Sequence, residues 1–147
     1  MTFEKTLKDV EDCLCLENTL VNNEDNFARR IYKNAVEEED FNSYHEIGKT
    51  AQNNCNSKCG HRGVSVNICA DDTKKTELID TYKKTVVAAK KINPDVNIPE
   101  YCLVFKFKDE AGKMKQTGKN ETHFDFYKSD AFNVNDHLTN IEIVSLV

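Results

Sequence analysis

The chain predicts a single α+β domain over residues 1–147. In this reading N-terminal helices and one central helix pack on a curved, mixed but mainly antiparallel sheet. Three observations carry it. Apolar residues in the first 56 positions recur at helical spacing, and those after residue 101 alternate at a period of two. Between them a strand pattern is followed directly by a helix pattern, across residues 63–92. A chain of 147 residues is long enough to bury one core.

Residues 2–22 are predicted as a helix, because Phe3, Leu7, Val10, Leu14 and Val21 share one broad face. Thr2 offers an N-cap and Asn22-Asn23 a stop. Residues 24–56 read as helical again, through Phe27, Ile31 and Ala35 and then Tyr44, Ile47 and Ala51. The acidic run Glu37–Asp40 interrupts that stripe and marks a break into two helices. Gly60 sits where a left-handed helix end is expected.

From Gly63 to Ala70 the chain alternates, with Val64, Val66 and Ile68 on one side, as a half-buried strand does. Asp71 or Asp72 caps a helix over 73–92, with an apolar stripe of Leu78, Ile79, Tyr82, Val86 and Ala89. Asn93-Pro94 ends it. Strands follow at Tyr101–Lys108, Met114–Thr117 and Glu121–Tyr127, turned by Glu110-Ala111-Gly112 and Gly118-Lys119-Asn120. A short helical piece over Asp130–Leu138 leads to a last strand, Ile141–Val147, apolar on both faces and so expected in the centre of the sheet. The order α-α-β-α-β-β-β-(α)-β contains one βαβ unit before an antiparallel meander. It is similar to the cone-shaped NTF2-like fold, which implies a sheet wrapped around a pocket closed by helices.

Composition narrows the function classes. With 39% hydrophobic and 31% charged residues and two prolines, the profile is that of a soluble globular protein. No apolar run approaches the roughly 18 residues of a membrane span. The N-terminus lacks the apolar segment of a signal peptide, so a cytoplasmic location with reduced thiols is expected. Net charge is −5 but segregated: residues 1–60 carry 7 basic and 12 acidic groups, 61–120 carry 12 and 8, and 121–147 carry 1 and 5. An acidic total argues against duplex DNA as partner.

Three clusters qualify as candidate sites. Cys55, Cys59, His61 and Cys69 offer thiolate and imidazole ligands of the kind zinc takes, with Cys55 and Cys59 one helical turn apart. Cys13 and Cys15, two apart on a helix, would diverge and not chelate together. Gly60-His61-Arg62-Gly63, with Lys74 and Lys75, would suit an anion. On the outward face of the later strands stand Lys106, Lys108, His123, Asp125 and Tyr127, where Asp125 would orient the His123 imidazole for acid–base work. His137-Leu138-Thr139 occurs once, whereas two-histidine phosphoesterases need two such motifs.

No stretch carries a complete catalytic motif. The expected function is therefore a small soluble interaction protein that binds and inhibits or regulates another macromolecule, with a protein as partner and no cofactor. In size and composition the chain resembles immunity proteins against bacterial toxins and phage-encoded inhibitors of host defence. One alternative is a small-ligand binder or enzyme, with a pocket lined by Phe105, Phe107, Phe124 and Phe126. The other is a zinc-stabilised module.

Overall fold

A computed structural model describes all of residues 1–147. One six-stranded sheet organises the molecule: β1 (Asn26–Ile31), β2 (Val64–Cys69), β3 (Tyr101–Phe107), β4 (Gly112–Gln116), β5 (His123–Lys128) and β6 (Leu138–Ser145). Its spatial order is β4-β5-β2-β1-β3-β6, and every hydrogen-bonded pair is antiparallel. Three helices accompany it: α1 (Cys55–Arg62), α2 (Asp72–Ile92) and α3 (Val134–His137). The mixed α+β class stands, but the element order differs from the predicted one, because a strand and no long helix precedes α1.

From β2 to β5 the elements form where the sequence pattern predicts them, though they pair in a different order. Asp71 caps α2 by accepting a hydrogen bond from the Lys74 amide at 2.8 Å. The meander β3-β4-β5 is interrupted by other pairings. After β2, α2 carries the chain over to β3, leaving a gap of one strand that β1 fills. The expected βαβ unit is thus split, and the sheet contains no parallel neighbours.

The N-terminal half departs from expectation. Residues 2–22 form turns and a 3-10 turn at Glu11–Cys13 rather than a helix. Positive φ at Asp9, Leu14 and Asn18 (69°, 55° and 62°) bends the chain out of any continuous helix. Phe3, Val10 and Cys15 are buried nonetheless, packing with Cys59 of α1 and Tyr127 of β5, whereas Leu14 and Val21 of the predicted face stay exposed. Residues 24–56 are not helical either, for they supply β1 and a 3-10 turn at Glu38–Phe41. Gly60 lies inside α1, and Gly63 ends that helix. The last strand is not central: β6 is an edge, begins at Leu138 and leaves Ile141 exposed.

Alternation along the strands sorts the core into two faces. One face carries Phe27, Val66, Leu103, Phe105, Phe107, Met114 and Phe126. Phe41, Phe132 and Val134 cover it from connecting segments, not from long helices. The rings fill this space: Phe107 stacks on Phe126 at 4.1 Å, and Phe27 meets Phe107 and Phe124 at 5.4 and 5.9 Å. Each such pair is worth about 0.5–1.5 kcal/mol beyond the area it buries. On the opposite face α2 lays Leu78, Ile79, Tyr82 and Val86 over Ala28, Cys69, Cys102 and Val104. The N-terminal arm and α1 cover the β4-β5 end of that same face through Tyr127.

Two disulfides fasten the arm. Cys13 is bridged to Cys55 and Cys15 to Cys59, with Cα separations of 5.2 and 5.3 Å. The expectation of reduced thiols is overturned for these four cysteines. Cys69 and Cys102 stay free beneath α2, where burial pushes their thiols up to about 11 and about 12.

Candidate functional site

β1 and β2 pair only at Asn26↔Cys69, Phe27↔Ile68 and Ala28↔Asn67, and beyond Ala28 the two strands separate. Arg29 fills the opening. Its Nε donates to the Asp40 carbonyl at 2.5 Å, and its guanidinium to the Ser65 carbonyl at 2.7 Å, a group of β2 that lies beyond the end of the β1–β2 ladder. Burial pushes the Arg29 guanidinium below its ordinary range, and Asp40 opposes that shift.

Next to this plug runs a groove of about 530 Å³ lined by Arg30, Tyr32, Tyr44, Asn67, Tyr82 and His123, among others. Tyr82 is fixed from α2. It accepts a hydrogen bond from Asn67 Nδ2 at 2.7 Å, and Asn67 Oδ1 in turn accepts from Thr122 at 3.0 Å. Burial raises the Tyr82 phenol, so it stays neutral. The Arg30 guanidinium lies 5.4 Å from the Tyr82 ring centroid and makes no ion pair or hydrogen bond to the rest of the chain. Tyr32 and Tyr44 are 55% and 52% exposed. Tyr44 sits edge-on to His61 at 5.5 Å, with Lys49 Nζ 4.2 Å over its ring. The groove thus presents an unneutralised guanidinium among three tyrosines.

The anticipated site residues are scattered by comparison. His61 lies at the rim of this groove against Tyr44, its Nδ1 2.9 Å from the Ser57 carbonyl. Arg62 is buried and donates to the Thr6 and Lys8 carbonyls, holding the N-terminal arm. Lys74 pairs with Glu77, and Lys75 with Glu142 of β6, so the expected anion cradle of His61, Arg62, Lys74 and Lys75 does not assemble.

His123 and Asp125 share a face of β5, as their spacing requires. Yet the His123 Nδ1 engages the Thr117 hydroxyl at 2.9 Å rather than the carboxylate, so the orienting hydrogen bond is missing. Burial raises the Asp125 carboxyl, with His123, Thr117 and Lys115 working against it. Tyr127 is buried and donates to the Cys59 carbonyl at 3.2 Å. Lys106 stands on β3 opposite Thr139 of β6, with β1 and β2 between it and β5.

The zinc set Cys55, Cys59, His61 and Cys69 is not brought together. Cys55 and Cys59 are bridged to Cys13 and Cys15, His61 turns to Tyr44, and Cys69 lies under α2. In this disulfide-bonded state no three histidine, cysteine, aspartate or glutamate side chains converge as metal ligands.

A smaller cleft of about 230 Å³, lined by Lys5, His45, Glu46, Arg62, Lys128 and Asp130, spends its charges internally. Lys128 pairs with Glu46 at 2.7 Å; burial pushes Glu46 up, but hydrogen bonds from Lys128 and Ser43 outweigh it and hold the carboxyl low. Asp130 accepts from the Thr2 hydroxyl and from the Glu4 and Lys5 amides.

No family model, curated protein or solved structure matches the chain. No helix is long and apolar enough to cross a membrane. What the groove does therefore rests on its own chemistry.

Proposed function

We propose that this chain is an interaction protein that binds and regulates another macromolecule, most directly a protein, and that the groove beside Arg29 is its contact surface. The observation that carries this reading is the free Arg30 guanidinium set among the half-exposed Tyr32 and Tyr44 and the fixed Tyr82. Tyrosine and arginine dominate the energetic centres of protein interfaces, because they combine large rigid area with directed polar groups. An arginine on an aromatic shelf accepts a carboxylate in bidentate fashion, so an Asp, Glu or C-terminal carboxylate of the partner is the natural counterpart. Inhibitors of the immunity-protein or anti-defence kind belong to this functional type.

The rings expected to line a small-ligand pocket pack against one another instead. Phe105, Phe107 and Phe126 are fully buried and line neither of the two clefts described above. The test is association of the tagged chain with proteins of its native source, compared with Arg30→Glu and with Tyr32→Ala. Wild type is expected to retain one stoichiometric partner that both variants lose, at unchanged unfolding midpoints. A partner held equally by all three proteins would remove the groove from the proposal, and no stoichiometric partner at all would remove the function.

A further inference from the structure

We infer that the four cysteines of the two bridges form, when reduced, a tetrathiolate zinc site that fastens the N-terminal arm in place of the disulfides. The structure supplies the placement. Cys55 and Cys59 occupy one face of α1, a helical turn or about 6 Å apart. Cys13 closes the 3-10 turn, and Leu14 after it adopts φ 55°, ψ 41°, which turns Cys15 back so that both arm cysteines reach α1. The Cα atoms of each bridge lie 5.2 and 5.3 Å apart. The two bridges are neighbours, for Cys59 Sγ is 3.9 Å from the Cys13 carbonyl oxygen. Each bridge holds two sulfurs, and the two pairs lie side by side on α1, the placement from which one ion binding thiolate at about 2.3 Å in a tetrahedron would draw its four ligands.

The surroundings suit the chemistry. A cleft of about 520 Å³ opens onto Cys13, Cys55 and Cys59, giving reductant and metal a path. Lys115 donates to the Cys15 carbonyl at 3.0 Å and brings a cation beside the negative charge a tetrathiolate centre carries. A soft, thiolate-rich donor set selects zinc over magnesium or calcium.

The interconversion balances. Each disulfide takes up two electrons and two protons, giving two thiols; a thiol reductant supplies both and becomes a disulfide, whereas a phosphine supplies the electrons and becomes its oxide, with oxygen and both protons from water. Zinc then displaces the protons of the four thiols and forms four Zn–S bonds.

The full chain, reduced with a trialkylphosphine under inert gas, is titrated with zinc and, for its visible spectrum, with cobalt. We expect one zinc per chain by native mass spectrometry, thiolate-to-cobalt charge transfer with tetrahedral d–d bands, and affinity lowered at least about tenfold by Cys13→Ser or Cys15→Ser. Cys69→Ala and His61→Ala leave binding unchanged. If the metal-free reduced arm loosens, added zinc restores its amide protection. Lack of stoichiometric zinc in the reduced wild-type chain overturns the inference. So does binding that survives Cys13→Ser and Cys15→Ser but is lost with Cys69→Ala.

Discussion

Asp125 shows how a single side chain here is set by its covering. Gly63 passes so close that an added Cβ would lie 2.9 Å from the Asp125 Cβ, and the cleft beside the disulfides opens on the other side. Burial raises the Asp125 carboxyl above its unfolded value, and His123, Thr117 and Lys115 reduce that shift without abolishing it. The sign follows from proton linkage. Between the unfolded and the raised folded pKa, the native state holds a proton that the unfolded state has released. Stability therefore falls as pH rises through this window, and the loss is complete above the folded pKa. Asp125→Asn is expected to raise the unfolding midpoint at pH 7 and to flatten the stability profile on the acid side. Equal midpoints for the two proteins from pH 4 to pH 7 would show that the carboxyl is not held in a protonated state.

At the scale of elements, legibility divides the chain in half. β2, α2 and β3 through β5 follow local rules, with alternation for the strands and Asp71 as the cap of α2, and they fold where those rules place them. β1 was illegible because Phe27 and Ile31 are four apart, a spacing that both a helix and a strand satisfy, while the intervening Arg29 conceals a strand's apolar row by turning to the Asp40 and Ser65 carbonyls. With β1 read as helix, Arg30 and Tyr32 could not be placed on a groove. The N-terminal arm misled for a different reason: Phe3 and Val10 do share a buried side, but turns deliver them there. Cysteine pairing cannot be deduced from spacing, so the bridges were invisible too. Those bridges close loops with sequence separations of 42 and 44, and the first is worth about 4 kcal/mol in chain entropy. Because the arm's cluster with Cys59 and Tyr127 is separate from the two larger cores, reduction in metal-free buffer is expected to act locally. Hydrogen exchange of residues 1–20 and α1 should accelerate while β1, β3 and β6 keep their protection. Simultaneous loss throughout would mean the arm belongs to the global folding unit.

The whole molecule is two three-stranded leaves, β4-β5-β2 and β1-β3-β6, joined at the short β1–β2 ladder. Because α2 carries the chain from one leaf to the other, this junction forms only after residues distant in sequence have met. The same divergence of β1 from β2 that opens the groove leaves the seam thin, so its strength must come from side chains. Phe27 supplies much of it: fully buried, it touches Phe107 in its own leaf and Phe124 in the other. Removing the ring leaves a void that neither leaf can collapse to fill, because Arg29 and the Phe107–Phe126 stack hold the spacing. Phe27→Ala is expected to cost about 3–5 kcal/mol in denaturant unfolding. Beyond that loss, it should uncouple the leaves, with β4 and β5 amides losing protection at lower denaturant than those of β3 and β6. A variant that weakens by this amount yet still opens as one unit would place the coupling in the backbone ladder, the Arg29–Ser65 bond and the Phe107–Phe126 stack instead of Phe27.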